Sequence, residues 1–267
     1  MVVRYYVVEG GIRVYYELEL DGGGTSFGQM FVPILRRLGL GGSCYEPFSG
    51  PAFIGFSLLG AGICDELMVS DVNPKAIAYV KLTIKLNGLS NRVRYYISDL
   101  LEGIPRDLKF DLVIANPPHF KDLSFCKKYG CDDITILKTL DRGFKMHRAF
   151  YHGITGYLKP NGGVVLVENS EGSSPEDFIP MITKSGLRFK GTIKPSSDDA
   201  IYAFKILTKN WANAYLINVN VGGFYCLTKS LIFLKLPNTI LKHASIPSIR
   251  RYVRDMQKFY FIWSSKD

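Results

Sequence analysis

The sequence predicts an α/β fold in which a mostly parallel β-sheet carries helices on both faces. Two observations lead to this prediction. Apolar, β-rich segments alternate with helical segments along most of the chain, which is the pattern of a parallel sheet covered on both sides. Four successive predicted strands end in polar residues: Glu46, Asp71, Asp99 and Asn116. Because ligands of such sheets bind beyond the carboxyl ends of the strands, these residues are expected to meet at one site.

Composition restricts the class of protein. The 267 residues are 47% hydrophobic and 21% charged, which is ordinary for a globular protein. The N-terminal residues lack the pattern of a signal peptide. The longest uncharged stretch, residues 211–228, contains three asparagines and two glycines and is a poor membrane span. We therefore expect a cytoplasmic protein without a membrane segment.

The cysteines and histidines predict no metal site. Five cysteines are an odd number without a C-x-x-C pair, and His147 and His152 have the wrong spacing for one helix face. Free thiols, including Cys126 and Cys131, are therefore expected in a reducing cytoplasm, rather than a zinc site or a disulfide framework.

Residues 1–39 are predicted to precede the core, and residues 40–209 to form it. The first segment alternates in β-rich fashion around a Gly-Gly pair, which predicts a hairpin. The best marked helix follows Asn73, a typical N-cap, and ends at Gly88, a typical C-cap. Helices are predicted at about 30–38, 53–59, 74–87, 134–157 and 174–186. Besides the four strands that end in polar residues, strands are predicted at 162–169, 187–194 and 200–209, the last two as an antiparallel pair.

Residues 210–267 are predicted to be a basic C-terminal extension. They contain eight Lys or Arg and two Asp, and so carry six of the net nine positive charges. Such an excess is typical of chains that bind an acidic partner such as nucleic acid, although it also serves solubility. Residues 242–263 are predicted to form a basic amphipathic helix that caps the core, dimerises or binds phosphates.

The stretch "DLVIANPPHF", residues 111–120, holds an asparagine at the end of a buried strand. Neither Pro117 nor Pro118 has a backbone N–H, so the strand cannot continue through them. The two prolines therefore keep Asn116 in a stiff, extended frame.

Taken together, these motifs resemble a known family. "YEPFSGPAF", "VSDVNPKAI", "ISDLL" and "VIANPPHF" occur in the order of the core motifs of class I S-adenosylmethionine-dependent methyltransferases. The Asn-Pro-Pro element resembles the amino-group branch, which contains the glutamine N5-methyltransferases of release factors and the adenine N6-methyltransferases. The resemblance implies a Rossmann-like fold with a seven-stranded sheet, and S-adenosylmethionine (SAM) as the cofactor.

The resemblance also implies roles for individual residues. Glu46 holds the amino group of the methionine end, Asp71 accepts the ribose hydroxyls, and Asp99 accepts from the adenine amino group. The turn after the first core strand approaches the methionine end, and two apolar side chains enclose the adenine ring. Six further residues are implied to contact the cofactor: Phe48, Ser49, Gly50, Val72, Leu100 and Asn116.

Acceptor residues follow from the same resemblance. Asn116 and the Pro117 carbonyl accept from the NH2 group that is methylated, and His119 stands where the family usually has a stacking aromatic residue. Phe120 is expected to stack on the acceptor instead. The glycine-rich segment before the core is expected to close over the ligands, with Phe27 or Gln29 in contact; a plain connecting loop is the alternative.

Two departures from the family pattern affect the acceptor more than the cofactor. Phe48 and Ala52 replace glycines around Gly50, and His119 replaces the aromatic residue. The leading hypothesis is methylation of a planar nitrogen on a small molecule or peptide group, since no macromolecular recognition domain is evident. RNA or DNA adenine N6-methylation, aminocarboxypropyl transfer or cyclisation, and a non-catalytic binding module remain open, as does the oligomeric state.

Overall fold

The computed structural model describes residues 4–218 and 247–267. Strands β1 to β9 are Arg4–Val7, Arg13–Tyr16, Gly42–Glu46, Cys64–Asp71, Val93–Ile97, Phe110–Ala115, Leu158–Asn169, Arg188–Ile193 and Phe259–Ser265. Helices α1 to α9 are Phe31–Leu38, Phe53–Gly60, Pro74–Asn87, Ser124–Tyr129, Asp133–Thr139, Lys145–Ile154, Pro175–Lys184, Ser197–Asn218 and Pro247–Met256. Within these described ranges, no helix combines the length and the apolar composition that a membrane crossing needs.

The described strands β3 to β9 form one seven-stranded sheet in the order β5-β4-β3-β6-β7-β9-β8, and β1 and β2 form a separate antiparallel hairpin. Strands β3 to β7 pair in parallel, whereas β9 runs antiparallel to both β7 and β8. This architecture confirms the predicted fold class.

Both faces of the central strands β3, β6 and β7 are largely buried, as a parallel sheet with helices on each side requires. Alternate residues of one strand enter different apolar clusters, Cys44 one and Tyr45 the other. The first cluster includes residues of α1, α2 and the hairpin, and the second includes residues of α6 and α7. The carboxyl ends of the central strands are therefore held between two packed layers.

The helix predicted from Pro74 forms as its sequence dictates. The Asn73 side chain accepts from the backbone N–H of Lys75 at 2.9 Å, and Gly88 ends the helix with a left-handed φ of 67°. In contrast, the single helix predicted over 134–157 is divided into α5 and α6. Asp141 lies between them and accepts backbone N–H groups at the start of α6, so this acidic residue begins a new helix.

The strand predicted over 200–209 is wrong, because these residues lie in helix α8. Ser196 and Asp199 form reciprocal hydrogen bonds that cap this helix, and the apolar residues Ala200 and Ala203 follow at helical spacing and are fully buried. The strand that pairs with β8 is β9, in the segment predicted as an extension. The division at residue 209 stays a prediction, but the end of the chain contributes a strand to the sheet.

The cysteines also differ from the expectation of free thiols. Cys44 is bonded to Cys64, and Cys126 to Cys131. The first pair lies on the neighbouring strands β3 and β4, with Cα atoms 5.7 Å apart. The second pair brackets the end of α4, with Cα atoms 5.1 Å apart. Both separations are in the range that a disulfide spans, and the sequence spacing alone did not reveal them.

The position of β9 predicts a large loss of stability for Phe261→Ala. Phe261 is fully buried, and its ring packs edge-on against Phe31 at 4.8 Å. Removing such a ring costs about 3–5 kcal/mol, measured as the free energy of unfolding in denaturant. Leu86→Ala is the control, because Leu86 is 54% exposed. Equal losses in the two variants would contradict the insertion of β9 into the sheet.

Candidate active site

A cavity of about 710 Å³ lies at the carboxyl ends of β3, β4 and β6. It brings together the four polar residues that the sequence places at strand ends: Glu46, Asp71, Asp99 and Asn116. Other residues predicted to contact the ligands also line it: Phe48, Ser49, Gly50, Val72, Leu100, Pro117 and His119.

The turn after β3 has a glycine-like backbone even where glycine is absent. Phe48, Gly50 and Ala52 have φ values of 54°, 50° and 65°. A left-handed conformation costs a residue with a Cβ about 1–2 kcal/mol, so Phe48 and Ala52 are held there by their surroundings. One restraint is the backbone N–H of Gly50, which donates to Asp71 Oδ2 at 2.7 Å. The backbone of this turn thus keeps the form that the replaced glycines would allow.

Glu46 is buried at the base of the cavity. Its side chain is 2% exposed, and Oε2 accepts from the backbone N–H of Gly55 at 2.7 Å. Burial raises the pKa of Glu46 to about 8, so the carboxyl is largely protonated at neutral pH. A cationic ligand group beside it would favour the ionised form, which suits this residue to an ammonium group.

Asp71 and its neighbours form a second subsite. Asp71 Oδ1 accepts from the backbone N–H of Asn73 at 2.9 Å, so each oxygen has a protein donor and retains further acceptor capacity. Burial raises the pKa of Asp71. Val72, which is 63% exposed, and the partly buried Leu100 offer apolar surface beside the exposed Asp99. Adjacent acceptors and apolar surface are what a nucleoside requires.

Asn116 has a hydrogen-bond acceptor without a partner. Its Nδ2 donates to the carbonyl oxygen of Gly22 at 2.9 Å. Its Oδ1 is buried and has no hydrogen bond from the described residues. A buried acceptor without a partner costs about 1–3 kcal/mol. An N–H donor in the cavity would remove this penalty.

The glycine-rich loop covers the cavity beside Asn116. Lys138 Nζ donates to the carbonyl oxygen of Asp21 at 3.2 Å, and the Asp21 side chain accepts from Gly23 N–H at 2.9 Å. Farther along the loop, Tyr6 and Tyr252 donate to the carbonyl oxygens of Thr25 and Ser26. The loop is therefore tied to the hairpin, to α5 and to α9.

Three of the predicted substrate contacts, Phe27, Gln29 and Phe120, lie outside the set of residues that line the cavity. Gln29 is fully buried, and its amide bonds to the Gly24 carbonyl and the Ser57 hydroxyl. The Phe27 ring stacks on Phe259 at 4.1 Å, and the Phe120 ring stacks on Phe125 at 4.2 Å. These side chains support the walls of the site from behind.

Helix α5 and the turn that follows it contribute residues that the sequence reasoning missed. Ile134, Leu137, Lys138 and Arg142 line the cavity. Leu137 is 81% exposed, and burial lowers the pKa of Lys138. The signal was available in the spacing of 134, 137 and 138, which places these residues on one side of a helix.

A buried chain of ionisable groups leads away from His119. His119 Nδ1 lies 3.3 Å from Glu168 Oε2, and Glu168 Oε1 lies 2.9 Å from His147 Nε2. His147 Nδ1 lies 2.7 Å from Asp141 Oδ2. None of the four residues is more than 7% exposed. The chain therefore joins the cavity to the start of α6.

Electrostatic coupling fixes the charges in this chain. Burial opposes the charge on His147, but the Glu168 charge and the hydrogen bonds to both carboxylates outweigh it and raise the pKa of His147 to about 9. Burial would raise the pKa of both Glu168 and Asp141, but contact with His147 lowers both pKa values below the ordinary range. At neutral pH the three groups are therefore ionised and carry one net negative charge.

Comparison with known proteins agrees with this geometry. Residues 30–129 match the family described as methyltransferase small domain. A release factor glutamine methyltransferase of Clostridium acetobutylicum is 36% identical over 127 residues, which is 45% of this chain and 44% of that protein. A ribosomal protein uL3 glutamine methyltransferase of Francisella tularensis is 30% identical over 106 residues, 39% of this chain and 33% of that protein.

Solved structures agree at the level of the fold. A protein from Galdieria sulphuraria, described as a sarcosine dimethylglycine methyltransferase, superposes with a TM-score of 0.50 at 8% identity, over 90% of this chain and 85% of that one. The two glutamine methyltransferases, in contrast, are matched over less than half of their own length. The family match confirms over residues 30–129 the resemblance to methyltransferases that the motifs predict.

The charge on His147 predicts a specific loss of stability at high pH. Folding raises the pKa of His147 from 6.5 to about 9. The contribution of the protonated ring to the free energy of unfolding is therefore complete below pH 6.5 and disappears as the pH rises through about 9. The free energy of unfolding should fall between pH 7 and 10 by on the order of 2–3 kcal/mol more in the native protein than in His147→Gln. Parallel pH curves for the two proteins would show that His147 is not charged in the fold.

Proposed function

Because residues 30–129 match a methyltransferase small domain, we propose that this protein transfers a methyl group from SAM to a planar amide or amino nitrogen of a small molecule or peptide. The observation that carries the proposal is the buried Oδ1 of Asn116, a residue that lines the cavity, because this oxygen has no hydrogen-bond partner among the described residues. Asn116 follows the central strand β6 and precedes two prolines, so this acceptor is rigid.

The residues at the strand ends fit the cofactor. The protonated Glu46, which would ionise beside an ammonium group, suits the methionine end. Asp71 suits the ribose hydroxyls and Asp99 the adenine amino group, while Val72 and Leu100 provide apolar surface for the ring. When bound, SAM supplies a methyl group on a positively charged sulfur, which is a good leaving group.

The protein must overcome the weak nucleophilicity of a planar nitrogen, because the lone pair of that nitrogen is delocalised. If Asn116 Oδ1 and the Pro117 carbonyl both accept from the NH2 group, the nitrogen is oriented toward the methyl group. The same two hydrogen bonds strengthen as positive charge develops on the nitrogen. Stiffness of the Asn-Pro-Pro segment keeps both acceptors from moving away.

The names of the relatives support an amide acceptor. The relatives from Clostridium acetobutylicum and Francisella tularensis are both named glutamine methyltransferases. A glutamine side chain ends in a planar amide. The exposed apolar surface of Leu137 beside the cavity suits an acceptor that is carried on a peptide. We therefore favour a peptide amide over a nucleobase.

Cofactor binding predicts the behaviour of Asp71→Ala. The substitution removes a pair of charge-assisted hydrogen bonds, each on the order of 1.5–3 kcal/mol. Calorimetry with S-adenosylhomocysteine should therefore detect at least a tenfold loss of affinity. Asp107→Ala is the control, because Asp107 is exposed and does not line the cavity. Unchanged affinity in a folded Asp71→Ala protein would remove Asp71 from the cofactor site.

The amino-group mechanism predicts the behaviour of Asn116→Ala. Loss of one preorganised acceptor costs about a hundredfold in rate, whereas the affinity for S-adenosylhomocysteine should change little. The rate is measured as methyl transfer from labelled SAM into a peptide library with one fixed glutamine, and mass spectrometry locates the methyl group. A single-stranded oligonucleotide with one adenine is tested in parallel.

Asn116 also anchors the glycine-rich loop, so a second variant separates the two roles. Tyr252→Phe removes a different anchor of the same loop, the hydrogen bond to the Ser26 carbonyl oxygen, at a residue that does not line the cavity, and it leaves Asn116 Oδ1 in place. We expect this variant to retain most of the turnover. If it loses as much as Asn116→Ala, the loop and not the acceptor oxygen explains the effect. Methylation of the oligonucleotide alone would identify adenine as the acceptor.

A further inference from the structure

His119 lines the cavity immediately after the Asn-Pro-Pro segment. Its ring is 7% exposed and lies 6.0 Å, centroid to centroid, from the rings of both Phe27 and Phe259. Nδ1 contacts Glu168. The aromatic neighbours and the carboxylate together fix the plane of the imidazole, so its position does not depend on a ligand.

The contact with Glu168 determines which ring nitrogen carries the proton. An ionised carboxylate has no hydrogen to donate, so His119 Nδ1 must be the donor. In the neutral ring, Nε2 then has a free electron pair. Glu168 occupies Nδ1, and therefore Nε2 is the nitrogen available to a ligand in the cavity. A base oriented by a carboxylate in this way is a recurrent catalytic arrangement.

The ionised groups beside His119 carry a net negative charge. Asp141, His147 and Glu168 together carry one net negative charge, and Glu168 Oε2 lies 3.3 Å from His119 Nδ1. The other titratable groups near Glu168 are the phenols of Tyr151 on α6 and Tyr260 on β9. Burial and the Glu168 charge raise the pKa of both phenols, so they stay neutral and leave this balance unchanged.

We propose that His119 is the general base of the transfer, taking the proton of the acceptor nitrogen on Nε2, and that Glu168 is its positioning residue. This inference rests on the proposed function. The acceptor nitrogen bonds to the methyl carbon with its own electron pair, and the pair of the broken carbon–sulfur bond stays on sulfur. The N–H proton moves to His119 Nε2, and the resulting imidazolium lies beside Glu168.

His147 and Asp141 act through Glu168. The imidazolium of His147 donates to Glu168 and keeps that carboxylate ionised in a buried position. Asp141 holds His147 in turn and accepts the backbone N–H groups of Met146 and His147. A buried carboxylate without such a partner would take up a proton, and the tautomer of His119 would no longer be fixed.

The first test needs neither cofactor nor acceptor. The ¹⁵N resonances of the histidine rings are recorded near pH 8 in labelled protein, and those that disappear in His119→Asn belong to His119. We expect a protonated Nδ1 and a bare Nε2 in the native protein. In Glu168→Gln, the opposite tautomer should gain population. A native His119 with the proton on Nε2 would overturn the proposal.

The second test separates the base from its structural role. The amide of His119→Asn can still donate to Glu168 from the place of Nδ1, but this variant has no atom that accepts a proton. We expect methyl transfer into the glutamine peptide library to fall about a hundredfold, with affinity for S-adenosylhomocysteine within threefold of native. His119→Gln, which lacks a base at the place of Nε2, should be equally slow. A rate within threefold of native in either variant would overturn the proposal.

The two tests distinguish failure of this inference from failure of the proposed function. If the native protein neither binds S-adenosylhomocysteine nor transfers methyl groups, the proposed function fails, and with it the role of His119 as a base. If the native protein binds S-adenosylhomocysteine but His119 carries its proton on Nε2, only the inference about His119 fails. If the substituted proteins do not fold, the tautomer of His119 in the native protein still decides whether the inference stands.

Discussion

The parallel pairing of β3 with β4 on one side and β6 on the other is the constraint on which the site depends. The register places Glu46 opposite Val69 and Tyr45 opposite Val113, so the three strands end close together. Because they run in the same direction, the polar residues that follow them reach one edge of the sheet. A slip of one residue would turn every side chain of a strand to the other face. The apolar clusters on both faces prevent such a slip.

The energetic cost of the site is concentrated at that edge. Of the five non-glycine residues with a left-handed backbone in the described part of the chain, Phe48, Ala52 and Leu100 lie in or beside the cavity. Glu46 is buried there as well, and Asn116 Oδ1 has no hydrogen-bond partner in the part of the chain that the structure describes. Strain and unsatisfied polar groups are tolerated where the surrounding structure over-determines them. Here two packed layers hold the strands from both sides.

Sequence patterns predicted the fold class, the polar strand ends and the family resemblance, because each depends on local signals. Asn73 and Gly88 fix the ends of a helix whatever surrounds them. The patterns failed where burial against the rest of the protein, or a helix cap that was overlooked, decides the structure. Residues 200–209 have the composition of a strand, but the cap formed by Ser196 and Asp199 and the burial of two alanines make them helical.

The parts of the site that sequence reasoning missed have the same origin. Glu168 lies in the strand predicted at 162–169, and nothing in that segment marked it as part of the site. Its significance comes from His119, 49 positions away, and from His147, 21 positions away. No local spacing relates these residues, since the crossover from β6 to β7 brings them together. Gln29 is a similar case, because the hydrogen bonds that hold its buried amide come from Gly24 and from Ser57, which lies 28 positions away.

The amide of Asn116 has two separate features: its nitrogen anchors the glycine-rich loop, and its oxygen is a hydrogen-bond acceptor without a partner among the described residues. The donor half of its amide holds the loop through Gly22, and the acceptor half has no hydrogen-bond partner among the described residues. Aspartate would keep an acceptor but lose the donor, and its charge would face the Gly22 carbonyl. Alanine would lose both. An amide is the short side chain that offers one donor and one acceptor in a fixed plane. Once the Gly22 bond fixes that plane, the position of Oδ1 is fixed as well, so the same amide anchors the loop and orients the acceptor oxygen.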